Sequence, residues 1–105
     1  MKSFYTINIG GDEYKLRLTA SAIMSIEKKL GKSLLTALES MKDNLVENII
    51  TIFWGAMQPL NANVPFEKAG ELFDRYIDEG STIEDFMQEI NSLFEVSGFF
   101  KKGQD

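Results

Sequence analysis

The most apolar stretch of the chain, residues 44–58, places the strongest constraint on its fold. With about 100° between successive residues of a helix, its polar positions and one glycine gather within an arc of about 100°. These positions are Asn44, Glu47, Asn48, Thr51, Gly55 and Gln58. All other positions from Leu45 to Met57 are apolar and cover most of the helix circumference. A surface helix needs only one apolar stripe, so the stretch predicts a buried central helix, a helix that also meets a partner, or both.

The same stretch is too short to span a membrane, which takes about 20 apolar residues. The chain has 105 residues, of which 44% are hydrophobic and 26% charged, as in an ordinary globular protein. That length is typical of one domain. Met1-Lys-Ser-Phe4 leads directly into a strand pattern without an apolar signal region. We therefore predict a single domain over residues 1–105, located in the cytoplasm and without a membrane partner.

The composition removes much of the usual chemistry of enzymes and metal sites. The chain has no cysteine and no histidine, which excludes thiolate sites and the commonest general base and metal ligand. Asp74 and Asp78 lie one helical turn apart, as do Asp85 and Glu89, and such pairs can bind a hard cation. Their neighbours are those of an ordinary solvated helix surface. We therefore predict no catalytic residues, no cofactor and no metal, and hence no enzyme.

Charge is distributed unevenly along the chain, whose net charge is −5. Residues 1–60 carry seven basic and six acidic side chains, whereas residues 61–98 carry two basic and nine acidic ones. Binding to a phosphate backbone depends on Lys and Arg, so we predict no nucleic-acid partner. An acidic half suits a basic partner, or it only keeps the chain soluble.

Two alternating runs, Tyr5–Ile9 and Tyr14–Leu18, flank Gly10-Gly-Asp-Glu13 and predict an antiparallel hairpin. Placing both apolar sets on one face gives Gly11-Asp12 as a two-residue turn. The expected pairs are Ile9–Tyr14, Ile7–Leu16 and Tyr5–Leu18. The outer edges of such a hairpin either invite strand addition by another chain or are capped by the rest of the fold.

Helical periodicity and helix start signals predict the rest of the fold. Thr19, Ser33, Asp43 and Asn63 are the expected caps of the first four helices, and Ser81-Thr-Ile-Glu84 is a capping box for the fifth. The fold class is therefore mainly α (α+β), with a hairpin at about 4–18 packed on about five helices, and residues 98–105 form a frayed tail. The helices are predicted at about 19–30, 33–41, 44–58, 65–79 and 82–96.

The N-terminal third resembles the tail assembly chaperones of siphophages and their prophages. Typical of that family are a Gly-Gly-type turn followed by Tyr, a strand ending in Arg-Leu-Thr, and a helix closing with Glu-x-x-Leu-Gly. Here these features are Gly10-Gly11 with Tyr14, Arg17-Leu-Thr19 and Glu27-Lys-Lys-Leu-Gly31. The resemblance covers about residues 5–38, and the later helices agree in order and size.

The resemblance implies a role in viral tail assembly that is not enzymatic. Such chaperones are made in the infected host cell and are absent from the mature virion. They bind the long helical tape-measure protein, keep it soluble and help to recruit tail-tube subunits. The implied partners are the tape-measure protein and the tail-tube protein of the phage, and self-association is compatible with the pattern.

A chaperone for an exposed amphipathic helix needs an apolar groove with a polar rim. We place this groove on the outer face of the helix at 44–58, and its expected partner-binding residues are Val46, Ile50, Trp54 and Met57. Methionine suits a surface that accepts varied partners. Two other function classes remain open. One is a small acidic adaptor or regulatory protein-binding module, and the other is a structural tail component retained in the virion.

Overall fold

The structure, a computed structural model, describes residues 4–100. An antiparallel hairpin is followed by five α-helices, which confirms the predicted fold class. A 3₁₀ turn, Gln58–Leu60, leads from the third helix into the loop before the fourth. The elements are β1 (Phe4–Ile9), β2 (Asp12–Arg17), α1 (Ala20–Leu30), α2 (Leu34–Glu39), α3 (Leu45–Met57), α4 (Phe66–Asp78) and α5 (Ile83–Ser97).

One hydrophobic core joins the hairpin to the helices. α3 supplies its centre, because Ile49, Ile52 and Phe53 have no exposed surface. The rings of Phe53 and of Phe86 on α5 meet edge to face with centroids 5.2 Å apart, a geometry that aromatic pairs prefer. The apolar circumference of α3 thus corresponds to a central helix, as the sequence predicts.

The polar arc of α3 is turned inward along much of its length. Asn48, Thr51 and Gly55 are all buried. The amide of Asn48 donates to the carbonyls of Met41 and Asp43, at 3.3 and 2.9 Å. This side chain therefore satisfies backbone groups of the preceding turn. The opposite side of α3 is apolar and partly exposed, since Val46 retains 46% of its surface.

A glycine on this inward arc brings α1 and α3 close together. A Cβ added at Gly55 would overlap Cγ1 of Ile26 and lie 2.7 Å from its Cδ1. Ile26 is completely buried, so it has little room to move aside. The Ala22 carbonyl oxygen would also lie 3.4 Å from the added atom. Glycine is the residue that permits this helix crossing.

The hairpin is paired two residues out of the predicted register. Asp12, rather than Tyr14, lies opposite Ile9. The turn is Gly10-Gly11, so the predicted turn Gly11-Asp12 is wrong. Both glycines have positive φ angles, 63° and 84°, which glycine adopts at no steric cost but aspartate does not. A shift of two residues keeps every side chain on its predicted face, and the apolar set is buried. It comprises Ile7, Ile9, Leu16 and Leu18.

Side chains from α4 and from the loop after α3 hold the hairpin. Arg75 Nη2 donates to the Gly10 carbonyl at 2.9 Å, and a Glu79 carboxylate oxygen accepts from the Gly10 N–H at 3.0 Å. The Arg75 and Glu79 side chains also pair with each other at 3.3 Å. Asn61 Nδ2 donates to the Lys15 carbonyl at 3.0 Å. Part of the outer edge of β2 is therefore capped.

The first two predicted helix caps are confirmed, and the next two are wrong. Thr19 accepts from Ala22 N, and Ser33 accepts from Thr36 N. α3 begins after Asn44 instead of the predicted Asp43, with Asn44 in the left-handed region at φ 59°. Asparagine tolerates that conformation better than most residues. α4 begins after Pro65, whose extended backbone takes the cap position instead of the predicted Asn63. The second wrong cap reflects the position of Val64 before a proline, which disfavours the helical conformation that Val64 would need if Asn63 were the cap.

The capping box of α5 lies one residue beyond its predicted position. Thr82 Oγ1 accepts from Asp85 N at 3.1 Å, and the Asp85 carboxylate accepts from Thr82 N at 2.9 Å. The predicted Ser81–Glu84 box is therefore wrong, although its chemistry is retained. α5 ends at Gly98 in the left-handed region. Within the predicted frayed tail, the ring of Phe100 packs on that of Phe94, with centroids 5.0 Å apart. Residues 101–105 of this tail lie outside the described residues.

We expect Gly55→Ala to destabilise the protein by about 1–2 kcal/mol, because overpacking against Ile26 outweighs the gain in helix propensity. Gly70→Ala is the matched control, since Gly70 is also within a helix but has no atom within 4 Å of an added Cβ. That control should gain about 0.5–1 kcal/mol. Urea denaturation measures both changes, and equal effects of the two substitutions would contradict the proposed close packing.

Candidate protein-binding groove

An open groove of about 940 Å³ lies between α1, α3 and α4. Its floor is an apolar stripe on α3, formed by Val46, Ile50 and Trp54. These residues are spaced four apart and therefore follow one face of the helix over roughly 12 Å. The other lining residues are Ser25, Lys28 and Lys29 from α1, Glu47 from α3, and Phe66, Glu67 and Gly70 from α4.

The indole at the end of this floor is held in place by the loop before α4. Trp54 Nε1 donates to the Val64 carbonyl at 3.0 Å. Gln58 supports the same loop, since its amide donates to that carbonyl at 3.0 Å and its Oε1 accepts from Val64 N at 3.2 Å. The Phe66 ring meets the indole edge to face, with centroids 5.9 Å apart. The aromatic part of the groove is thus formed in the free protein.

Lys29 extends from α1 over these two rings. Its Nζ lies 4.3 Å from the ring centroid of Phe66 and 5.4 Å from that of Trp54. An ammonium group over an aromatic face is attracted by the ring quadrupole. Within residues 4–100, Lys29 has no carboxylate within ion-pair distance. The groove therefore contains a positive charge that its own walls do not neutralise through an ion pair.

Three of the four predicted partner-binding residues lie in this groove. Val46 is 46% exposed, and Ile50 and Trp54 are partly buried against the core. Met57 is only 1% exposed and belongs to the core instead. At this end of α3 the side chain of Asn61 donates to the Met57 carbonyl and to the Lys15 carbonyl of β2, which ties the 3₁₀ turn and the hairpin to the helix end. Met57 thus lies at the end of α3 that contacts β2 and the 3₁₀ turn, and it does not line the groove.

Sequence reasoning missed the residues that the other helices bring to the groove. The predicted partner-binding residues all lie on α3, so they include none of the groove residues of α1 or α4. The groove residues missed in this way are Ser25, Lys28, Lys29, Phe66, Glu67 and Gly70. The only local signal is the pair of adjacent lysines, and it is too common to identify a site. Their convergence depends on how α1 and α4 cross α3.

A second cavity, of about 390 Å³, lies against α5. Its lining is almost entirely apolar, and the Phe100 ring contributes to it. The first groove differs in having charged side chains on both sides of an apolar floor, which resembles the polar rim and apolar centre of a protein interface. We therefore take the groove between α1, α3 and α4 as the candidate site. The second cavity is lined by Leu38, Met41, Ile49, Met87, Ile90, Asn91, Phe94 and Phe100.

The acidic pairs considered as cation ligands are either exposed or engaged in other contacts. Asp74 and Asp78 are exposed, whereas Asp85 caps α5. Glu89 accepts hydrogen bonds from two phenols, those of Tyr5 on β1 and Tyr76 on α4. Within residues 4–100, no group of three or more acidic side chains is arranged to hold a metal ion.

The profile of one protein family matches the whole chain, residues 1–105. The chain belongs to DUF6096, a family of unknown function. No curated protein and no solved structure matches it. Among the helices of residues 4–100, none has the length and apolar character needed to cross a membrane. Membership of DUF6096 thus provides no activity to transfer, and a functional proposal must rest on the groove and on the sequence pattern.

The phenols of Tyr5 and Tyr76 donate to Glu89 and so connect the hairpin and α4 to α5. They can donate only while they are protonated, so the strength of these contacts depends on pH. Burial raises the pKa of Tyr5 above its ordinary value of 10.0, and the neighbouring Glu89 raises it further. Burial is also the main reason why the pKa of Tyr76 is raised, followed by the negative charge of Glu89. The folded state therefore holds both protons more tightly than the unfolded state does.

We expect these raised pKa values to make the protein less stable in alkaline solution. The stabilisation is complete below the ordinary tyrosine pKa of 10.0 and is lost as the pH rises through the folded values. Between about pH 9 and pH 12, the free energy of unfolding should fall more steeply for the wild type than for Tyr5→Phe/Tyr76→Phe. Urea denaturation followed by Trp54 fluorescence measures this difference, and parallel pH profiles would contradict the assignment.

Proposed function

We propose that this chain is a tail assembly chaperone of a siphophage or prophage, and that it binds the tape-measure protein through the groove between α1, α3 and α4. The observation that carries the proposal is the outward apolar stripe of α3, which lies in a groove with a charged rim. The pattern of residues 5–38 supports the same assignment through its resemblance to these chaperones.

The physical requirement for such a chaperone is a surface that covers part of a long amphipathic helix. Residues spaced at i, i+4 and i+8 on α3 extend over roughly 12 Å, or about two turns of a docked helix. A helix laid in the groove would bury its apolar side chains against Val46, Ile50 and Trp54. Helix-in-groove binding uses anchors of this spacing.

The proposed role is not enzymatic. It places the protein in the cytoplasm of the infected host cell during tail assembly and outside the mature virion. Recruitment of tail-tube subunits belongs to the same proposal. The charged rim supports a binding role, because residues that ring an apolar centre exclude water from it.

The proposal predicts that groove variants lose the tape-measure protein without losing their fold. Val46→Asp places a charge on the floor, and Gly70→Trp fills the groove from a position where an added Cβ meets no atom within 4 Å. Leu35→Asp is the matched control, since Leu35 is 63% exposed on α2 and does not line the groove. Each variant is co-expressed with the tape-measure protein encoded nearest to its gene, and the amount that co-purifies is measured.

We expect the wild type and Leu35→Asp to retain the tape-measure protein, and Val46→Asp and Gly70→Trp to lose it. Circular dichroism checks that every variant is folded. Recovery of only a basic or DNA-binding neighbour would favour the acidic adaptor instead. Detection of the chain in purified virions would favour a structural tail component. Either result overturns the chaperone proposal.

A further inference from the structure

The charges that line the groove are sorted by helix. Lys28 and Lys29 belong to α1, and Glu67 belongs to α4. Glu47, in the first turn of α3, lies between the apolar stripe and Gly55 on the helical wheel, at the edge of the floor nearer α1, where the two lysines keep the net charge positive. An apolar floor between walls of opposite charge does not accept every amphipathic helix equally. A docked helix brings its two flanks against the two walls, and like charges brought together oppose binding.

Lys29 is the charge placed furthest over the floor. Its ammonium lies above the rings of Phe66 and Trp54 and has no carboxylate partner within residues 4–100. A bound helix would remove water from this position. Desolvating an ammonium is costly unless a carboxylate replaces the water, although the aromatic faces offset part of that cost. The position therefore favours a helix with Glu or Asp beside its apolar stripe.

We propose that the groove binds a split-charge amphipathic helix, with acidic residues along the flank that meets α1 and basic residues along the flank that meets Glu67. Lys29 is the residue that recognises the acidic flank. This inference rests on the proposed function for its location and adds the chemistry of the bound segment. It also sets the direction of binding, because a reversed helix would present each flank to the wall of like charge.

Three synthetic helices of about 18 residues, or five turns, test the proposal. All three carry the same leucine stripe at i, i+4, i+7 and i+11. One has glutamates on one flank and lysines on the other, one has glutamates on both flanks, and one has lysines on both. Fluorescence anisotropy measures the affinity of each labelled peptide at fixed ionic strength.

We expect the wild type to bind the split-charge peptide about fivefold more tightly than either uniform peptide. Lys29→Glu leaves Lys28 outweighed by Glu47 and the new carboxylate, so both sides of the groove become net acidic, and the preference should shift to the lysine peptide. Glu67→Lys makes both walls basic and should shift it to the glutamate peptide. Lys29→Arg keeps the charge and the contact with the rings and should retain the wild-type ranking.

Two variants control for net charge, which is −5 for the wild type. Lys42→Glu alters an exposed lysine that does not line the groove. Glu84→Lys is matched to Glu67→Lys, because Glu84 and Glu67 are each the second residue of their helix. Both controls should keep the split-charge preference. If every protein prefers the lysine peptide, or if the controls shift the ranking as much as the groove variants do, the inference is wrong.

Failure of the charge inference can be distinguished from failure of the proposed function. If the tape-measure protein co-purifies through the groove but the peptide ranking is the same in all variants, the charge inference is overturned and the chaperone role stands. If the peptides follow the predicted rankings but the tape-measure protein does not bind, the inference about the groove is supported and the chaperone role is overturned.

Discussion

The close approach of α1 and α3 at Gly55 is the constraint on which the rest of the structure depends. The buried Ile26 side chain occupies the space that a larger residue at this position would need. This contact fixes the rotation of α3 about its own axis, because the glycine must face α1. The polar arc that contains Gly55 is then buried, and the stripe of Val46, Ile50 and Trp54 is left to line the groove. A single packing contact thus determines which side of the central helix remains available.

Sequence periodicity was sufficient for the type and order of the elements, because each has a clear apolar pattern and most have a start signal. Periodicity was less reliable where the local sequence fits two helix starts or two strand registers equally well. Ser81–Glu84 and Thr82–Asp85 both fit a capping box, and only the geometry of the turn after Gly80 separates them. The hairpin register is similar, since a shift of two residues preserves both faces. There the backbone preference of Gly10-Gly11 decides.

The candidate site was only partly predictable, for a physical reason. The i, i+4, i+8 stripe on α3 is a local property, so Val46, Ile50 and Trp54 could be selected from sequence. Met57 shares that face on a helical wheel, but the hairpin and the 3₁₀ turn cover the end of the helix. A helical wheel shows only the residues of the helix itself, so it gives no information on these tertiary contacts. For the same reason, Lys29 over Phe66 depends on two helix crossings, and no pattern within either helix indicates it.

The groove combines a rigid floor with adjustable walls. The hydrogen bond from Trp54 to Val64 fixes the indole before any partner binds, so little conformational entropy remains to be lost there. The lysines and glutamates of the rim have long side chains that can adapt to different carboxylates and amines. The proposed partner, with a repetitive helical pattern but a variable sequence, would need this combination, because in the proposed complex the floor provides affinity through burial and the rim selects the direction of binding through charge. The inward polar arc of α3 makes the combination possible, since it leaves the apolar stripe at the surface without removing Phe53 and Ile52 from the core.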